Sequence, residues 1–349
     1  AGADGRDVHN LYALLYNKAA YEAAKEEFGE DKALIWARSA WAGSQKYPVH
    51  WGGDAGTDFG SLASSVKGCL NLSLSGIPFW SSDIGGFWFE SSPELYIRWL
   101  EFGMFCSHAR FHGFYSREPW DFGQQAVDVY RKYAGLRYRL IPYIYNQALA
   151  VREEDTLIHR PVFYDYPSDL NAAGLDTQYL FGKELMVIPV LNEDNSVRIY
   201  LPRGQWTDFY DDTVEEGGKW MEQVVPLDKI PVYVRENAII PIGPEMEYIG
   251  QKEDDQWEIH CYPTEGKGRF CSYEHGFTVE MDASDDRVKI DCTRTDMNLT
   301  FVLHNIRPAG VQADGQDIGF RMDHKRTYIH MGNRMQDHDI HMVIEKGEQ

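Results

Sequence analysis

Pro48-Val-His-Trp-Gly-Gly-Asp54 is a short β-branched and aromatic run that breaks on two glycines and presents a carboxylate. A strand that ends this way is how α/β barrels place reactive groups, on the loops beyond the strands' carboxyl ends. The pattern returns in Ser75-Gly-Ile-Pro-Phe-Trp-Ser-Ser-Asp83-Ile-Gly-Gly-Phe87. Two carboxylates at consecutive strand ends, each beside tryptophan and glycine, point to sugar chemistry.

Outward from these runs, the chain alternates between strands and helices. Helical spacing of Leu11, Leu14, Leu15, Ala19, Tyr21 and Phe28 predicts a helix over 8–28 that ends at Gly29. The residues before it, 1–7, read as a loop. Strands are expected at 33–38, 47–51, 76–81 and 106–111. Helices are expected over 58–72 and over 93–104, the second behind Ser91, Ser92 and Pro93. A single long helical run is expected over 122–151. Four such repeats read as the second half of a (β/α)8 TIM barrel, which needs eight strands to close. After residue 156 the texture becomes short apolar or alternating runs punctuated by Gly, Asp and Pro, the mark of β-sandwich domains. The expected organisation is residues 1–155 as the barrel portion, 156–245 as a proximal β-sandwich and 246–349 as a distal one, with the boundary near Gly243-Pro244.

The 349 residues are 43% hydrophobic, enough for real cores, and no run approaches the ~20 apolar residues of a membrane span. A formal charge of −20 argues against a nucleic-acid partner, because phosphate binding needs clustered Lys and Arg. Neutral substrates fit that charge. The five cysteines are odd in number and widely spaced, with no Cys-x-x-Cys. This favours a reducing cytoplasm over a disulfide framework or a zinc site. With no signal peptide evident, the sequons at Asn71 and Asn298 carry no weight. His108 and His112 have metal-ligand spacing but lie in an extended segment without an acid between them. Ser64-Ser-Val-Lys67 falls inside a predicted helix without companion motifs. No metal and no cofactor is expected.

Each candidate site residue has an ordinary alternative. An Asp before a helix often caps it, but Asp58 is better placed than Asp54 for that role. Asp83 could be a turn residue. Arg38 closes an apolar strand, where an unpaired charge is costly, and Asp83 is its expected partner. Trp36 and Trp99 read as packing residues, whereas Trp51, three residues before Asp54, reads as a pocket wall. His112 follows the fourth strand and gains weight from the three polar strand ends before it.

Taken together, Arg38-Ser39, Trp51-Gly-Gly-Asp54, Phe79-Trp-Ser-Ser-Asp83-Ile-Gly-Gly-Phe87 and Arg110-Phe-His112 resemble the family 31 glycoside hydrolases in order and spacing, and Gln178–Val190 is similar to the start of that family's post-barrel β-domain. The resemblance covers residues 8–243. It implies a retaining, exo-acting α-glycosidase in which Asp54 is the general acid/base and Arg38, Trp51, Asp83, Phe87 and His112 line the terminal-sugar subsite. The substrate it implies is a neutral oligosaccharide or α-glycoside. The family's nucleophile, an aspartate in a Lys-x-Asp-like strand end, has no counterpart here. The chain is therefore expected to begin after the fourth strand and to depend on the amino-terminal half of the same enzyme for that residue, whose identity is unknown. His112-Gly-Phe-Tyr-Ser-Arg-Glu-Pro-Trp120 leans the reading towards α-xylosidase over α-glucosidase. A non-catalytic carbohydrate-binding or structural remnant is the alternative from another class, and self-association into a homo-oligomer is left open.

Overall fold

A computed structural model describes residues 2, 4–336 and 338–347. The first helix, α1 (Gly5–Phe28), starts earlier than its apolar spacing suggests, because the Asp4 side chain accepts from the Arg6 amide and caps it. The loop expected over 1–7 thus gives way to helix at Gly5. Ala1 and Ala3 lie outside the described residues.

Beyond α1, four parallel segments lie side by side. The Ile35 and Ala37 amides donate to the Pro48 and Val49 carbonyls (3.0 and 2.9 Å), and the Val49 and Trp51 amides donate back to Ile35 and Ala37 (2.6 and 3.1 Å). His50–Trp51 then pairs in parallel with Trp80–Ser81, and Asp83 bridges in parallel to Arg110. Regular pairing is shorter than the sequence runs suggest. Pro78 has no amide to donate, and the left-handed Gly53 turns the chain away just after the Gly52 amide has bonded to Ser81.

The intervening helices follow their sequence signals closely. In α2 (Phe59–Leu74), Asp58 caps the Ser61 amide at 2.7 Å, and Leu62, Val66, Cys69, Leu70 and Ser73 form the buried stripe. In α3 (Pro93–Met104), Ser92 caps Leu95, and every residue from Leu95 to Met104 is buried. Even Arg98 and Glu101 are inside, paired at 2.8 Å, with Arg98 also donating to Asn195 Oδ1 and to the Val225 and Lys229 carbonyls. Such a helix is enclosed on all sides. The expected run 122–151 is two helices, α4 (Gln124–Arg139) and α5 (Ile141–Glu154). Pro142 sits in the first turn of α5, and its missing amide and ring bulk stop α4 from continuing.

The first β-domain has a sheet in the order His159–Pro161, Tyr179–Phe181, Leu185–Val187, Val232–Arg235, Gln205–Asp208, Val214–Glu216, antiparallel throughout. Its strands obey the two-residue period. Leu180, Met186 and Tyr233 face a core shared with the ribbon Ser196–Leu201/Lys219–Val224. Tyr179, Phe181, Leu185, Val187, Val232 and Val234 face the other way, into one core with α2, α3, α4 and α5. The barrel portion and this β-domain therefore share their largest core.

The last domain packs a five-stranded sheet on a six-stranded one around its own core. One strand read with the preceding domain, Ile239–Ile242, pairs instead with Gln256–Cys261 of the five-stranded sheet. Its alternation explains the ambiguity: Ile239 enters the last domain's core, while Ile240 and Ile242 enter the shared one. A polar chain also crosses the junction. Asp212 bonds His304 (2.7 Å), His304 bonds His260 (2.8 Å), His260 bonds Glu258 (3.1 Å), and Glu258 accepts from Arg139 on α4 (2.7 Å). Against the cost of burial, hydrogen bonds from His304 and Arg326 hold the Asp212 carboxyl down at about 2.

Candidate active site

The two glycines before Asp54 are there because other side chains press on the backbone. A Cβ on Gly52 would lie 2.8 Å from the Trp80 ring, and one on Gly53, whose φ is +81°, would lie 2.5 Å from Arg38 Nε. The turn delivers Asp54 to Arg38, Nη1 to Oδ2 at 3.5 Å. That is a loose contact, and the Asp54 side chain keeps 27% of its surface accessible. It is a carboxylate that stays open to solvent.

Asp83 differs in every respect. Its side chain is fully buried, and Oδ1 accepts from Arg110 Nε at 2.7 Å while Oδ2 has no protein partner. The expected partner was Arg38. The parallel bridge between Asp83 and Arg110 sets those two strand ends next to each other, whereas Arg38, two segments away, reaches Asp54 instead. Burial pushes the Asp83 carboxyl above its usual range, Arg110 and the more distant His112 oppose this, and the nearby charge of Asp54 adds to it. These groups thus share one electrostatic neighbourhood.

Arg110 is the residue that sequence reasoning passed over. Its guanidinium lies 4.3 Å from the centre of the Trp51 ring and 5.0 Å from that of Trp36, cation–π distances, while it holds Asp83. Trp36, read as packing, is in fact partly exposed, meets His108 edge-on at 4.5 Å and joins the site. Trp99 does pack: it is fully buried, with its indole donating to Ser82 Oγ at 2.9 Å. The only sign of Arg110 was its place in the Arg110-Phe-His112 run.

The remaining residues come from loops sewn to the Asp54 loop. Phe87 donates its amide to the Ala55 carbonyl (2.9 Å), and its ring sits 5.6 Å from His112, centre to centre. A Cβ on Gly86 would fall 2.4 Å from the Gly56 carbonyl, so the loops touch backbone to backbone. Buried Arg117 donates to the Gly86 (2.8 Å) and Phe89 (2.6 Å) carbonyls, and Tyr96 Oη donates to its own carbonyl (2.9 Å). No sequence pattern singled out Arg117; its role arises where two loops meet α3.

Other candidates fall elsewhere. Lys67, of the Ser-x-x-Lys match, is on the surface and pairs with Asp176. Among the described residues one group could offer three ligand atoms to a metal, Asp254, Glu274 and His275 in the last β-domain, and its carboxylates are exposed. It touches none of the residues above.

Charged and aromatic side chains on loops beyond the carboxyl ends of parallel strands are the arrangement on which α/β barrels build their sites. Residues 1–147 match the glycosyl hydrolases family 31 TIM-barrel domain, and residues 155–240 match the glycosyl hydrolase family 31 C-terminal domain. The chain belongs to glycosyl hydrolase family 31. It is 41% identical over 255 residues to an alpha-xylosidase of Emericella nidulans, covering 70% of this chain and 33% of that protein. It is 29% identical over 290 residues to alpha-glucosidase 2 of Bacillus thermoamyloliquefaciens, covering 79% and 37%. The cycloalternan-forming enzyme from Listeria monocytogenes, solved with a pentasaccharide substrate, superposes with a TM-score of 0.93 at 26% identity, covering 99% of this chain and 36% of that one. The chain thus spans about a third of the length of the relatives it matches.

Proposed function

We propose that this chain is the acid/base-bearing portion of a retaining, exo-acting α-glycosidase, with α-xylosides preferred over α-glucosides. The observation that carries the reading is Asp54: an accessible carboxylate at a strand end, in contact with Arg38, whereas Asp83 is buried and bound through Oδ1 to Arg110. A retaining enzyme uses two carboxyls ~5–5.5 Å apart, one attacking the anomeric carbon, the other protonating the leaving oxygen and then activating water. Asp54 suits the second task. Asp83 suits neither, since it is buried and bound to Arg110. It acts by holding Arg110 against Trp51. Arg38, Trp51, Asp83, Phe87 and His112 form the terminal-sugar subsite, and the nucleophile comes from the amino-terminal half of the enzyme. The preference for xylosides draws on the greater identity to the Emericella nidulans alpha-xylosidase. Five cysteines without disulfides suit a reducing compartment, the cytoplasm.

In the complete enzyme, Asp54→Ala is expected to abolish turnover of α-glycosides with poor leaving groups. Azide should partly restore turnover of activated aryl substrates by attacking the glycosyl-enzyme in place of water, a step that needs no general base. Unchanged kinetics on a disaccharide would remove Asp54 from the mechanism. The ratio of rates on p-nitrophenyl α-xyloside and α-glucoside decides the sugar, and a ratio below one would make the enzyme an α-glucosidase.

A further inference from the structure

The loops that carry Phe87 and His112 continue outward into a strip of bare aromatic rings. Phe89, Phe114 and Trp120 are 71%, 69% and 67% exposed, and Trp88 and Tyr115 are exposed as well. Loose loops would explain that exposure, but these are pinned. The Phe89 amide donates to Thr57 Oγ1 (3.0 Å), and Thr57 Oγ1 donates to the Phe89 carbonyl (3.3 Å). Arg117 holds the same carbonyl at 2.6 Å, and the Phe114 amide donates to the Phe87 carbonyl at 2.8 Å. Trp88 meets Phe87 edge-on at 4.9 Å, and Tyr115 meets Phe114 edge-on at 5.4 Å. Large rings that a fixed backbone presents to water mark an interaction surface.

We propose that Trp88, Phe89, Phe114 and Tyr115 form the leaving-group side of the substrate site, where pyranose rings beyond the scissile bond stack their C–H faces. The strip is continuous with the proton donor: Thr57, three residues beyond Asp54, is hydrogen-bonded to Phe89 through both its amide and its carbonyl. The acid must reach the glycosidic oxygen, so the departing sugar lies on the side of the Asp54 loop. Trp51, Phe87 and His112 take the terminal sugar, and the outer rings are left for the reducing-side units. This sets the strip apart from the exposed rings of α1, Tyr12 and Tyr16, which line a groove beside the segment 34–40 rather than the loop ends. The assignment rests on the role of Asp54 proposed above.

The test compares two substrates on the complete enzyme. An α-glycosyl fluoride carries the terminal sugar but nothing for the strip to hold, and fluoride leaves without a proton. An oligosaccharide with the same terminal sugar uses both. For Phe89→Ala and Phe114→Ala, kcat/KM on the oligosaccharide should fall about tenfold each, mainly through KM, as the loss of one aromatic contact implies. Turnover of the fluoride should stay within about twofold, which also shows that the variants fold. Phe89→Tyr should restore the oligosaccharide rate. Unchanged oligosaccharide kinetics, or an equal fall on both substrates, would overturn the assignment. Should Asp54→Ala leave oligosaccharide hydrolysis intact, the underlying reading fails first, and the two failures are told apart.

Discussion

Gly53 shows how much of this site is set by a single backbone position. Its left-handed φ and the Arg38 guanidinium lying where a Cβ would go make alanine unwelcome, yet the obstacle is the flexible end of a side chain. Gly53→Ala is therefore expected to displace Arg38 and Asp54 more than it unfolds the protein. Activity of the complete enzyme should drop at least tenfold, with a stability loss of about 1 kcal/mol in urea titration. A severe loss of stability with Arg38 still in place would contradict this. The Gly-Gly-Asp run announced itself in the sequence, as did Trp51, Asp83 and His112. The partner of each charge did not. Which arginine meets which aspartate depends on the order of the parallel segments: Asp83 lies beside Arg110, whereas Arg38 is two segments away.

Among the elements, the helices were more legible than the strands. Pro93–Met104 and the Asp58 cap were written in local chemistry, Ser-Ser-Pro and Asp before an apolar stripe. The break at Leu140 was equally written, in Pro142, but was masked by helix-forming residues on both sides. Strand lengths were not legible, since pairing depends on a neighbour distant in sequence. The loops that join strands to helices depend on Arg117, and its removal should act locally. Arg117→Ala frees the Gly86 and Phe89 carbonyls, and amide hydrogen exchange should accelerate at Phe87–Phe89 and at Phe114. Exchange in the β-domains should not change. If protection at Phe87 is unaffected, the loops are held by their backbone contacts alone.

Over the whole molecule, buried histidines make stability depend on pH. His108 and His159 are both pushed down to about 3, first by burial and then by the positive charge of Arg137 and, for His159, by His108. His159 accepts from the Ser107 amide, which requires an unprotonated nitrogen. The unfolded chain binds protons below about 6.5 that the folded chain refuses. The stability these residues support is thus fully present above pH 6.5 and lost as pH falls towards 3. Each contributes a slope of about 1.4 kcal/mol per pH unit in that window. His159→Gln should lessen the loss of urea midpoint between pH 6.5 and 5 relative to the unsubstituted protein; a variant that loses as much over that range would refute the assignment. The domain boundary was the least legible feature at this scale, because Ile239–Ile242 sends alternate side chains into two cores.

That shared core also decides how such a protein can be recombined. The sheet Tyr179–Phe181, Leu185–Val187, Val232–Arg235 gives one face to its own ribbon and the other to the helices of the barrel portion. A crossover at residue 155 would join two halves of an interior shaped for different partners, and both parents' packing would be lost. A crossover in the loop 243–255 keeps all of that interior except Tyr262 in one piece, and asks that Ile239–Ile242, Asp212 and Arg139 find matching partners in the last domain. The inheritable module is therefore the barrel portion together with its first β-domain, and only the last domain is exchangeable.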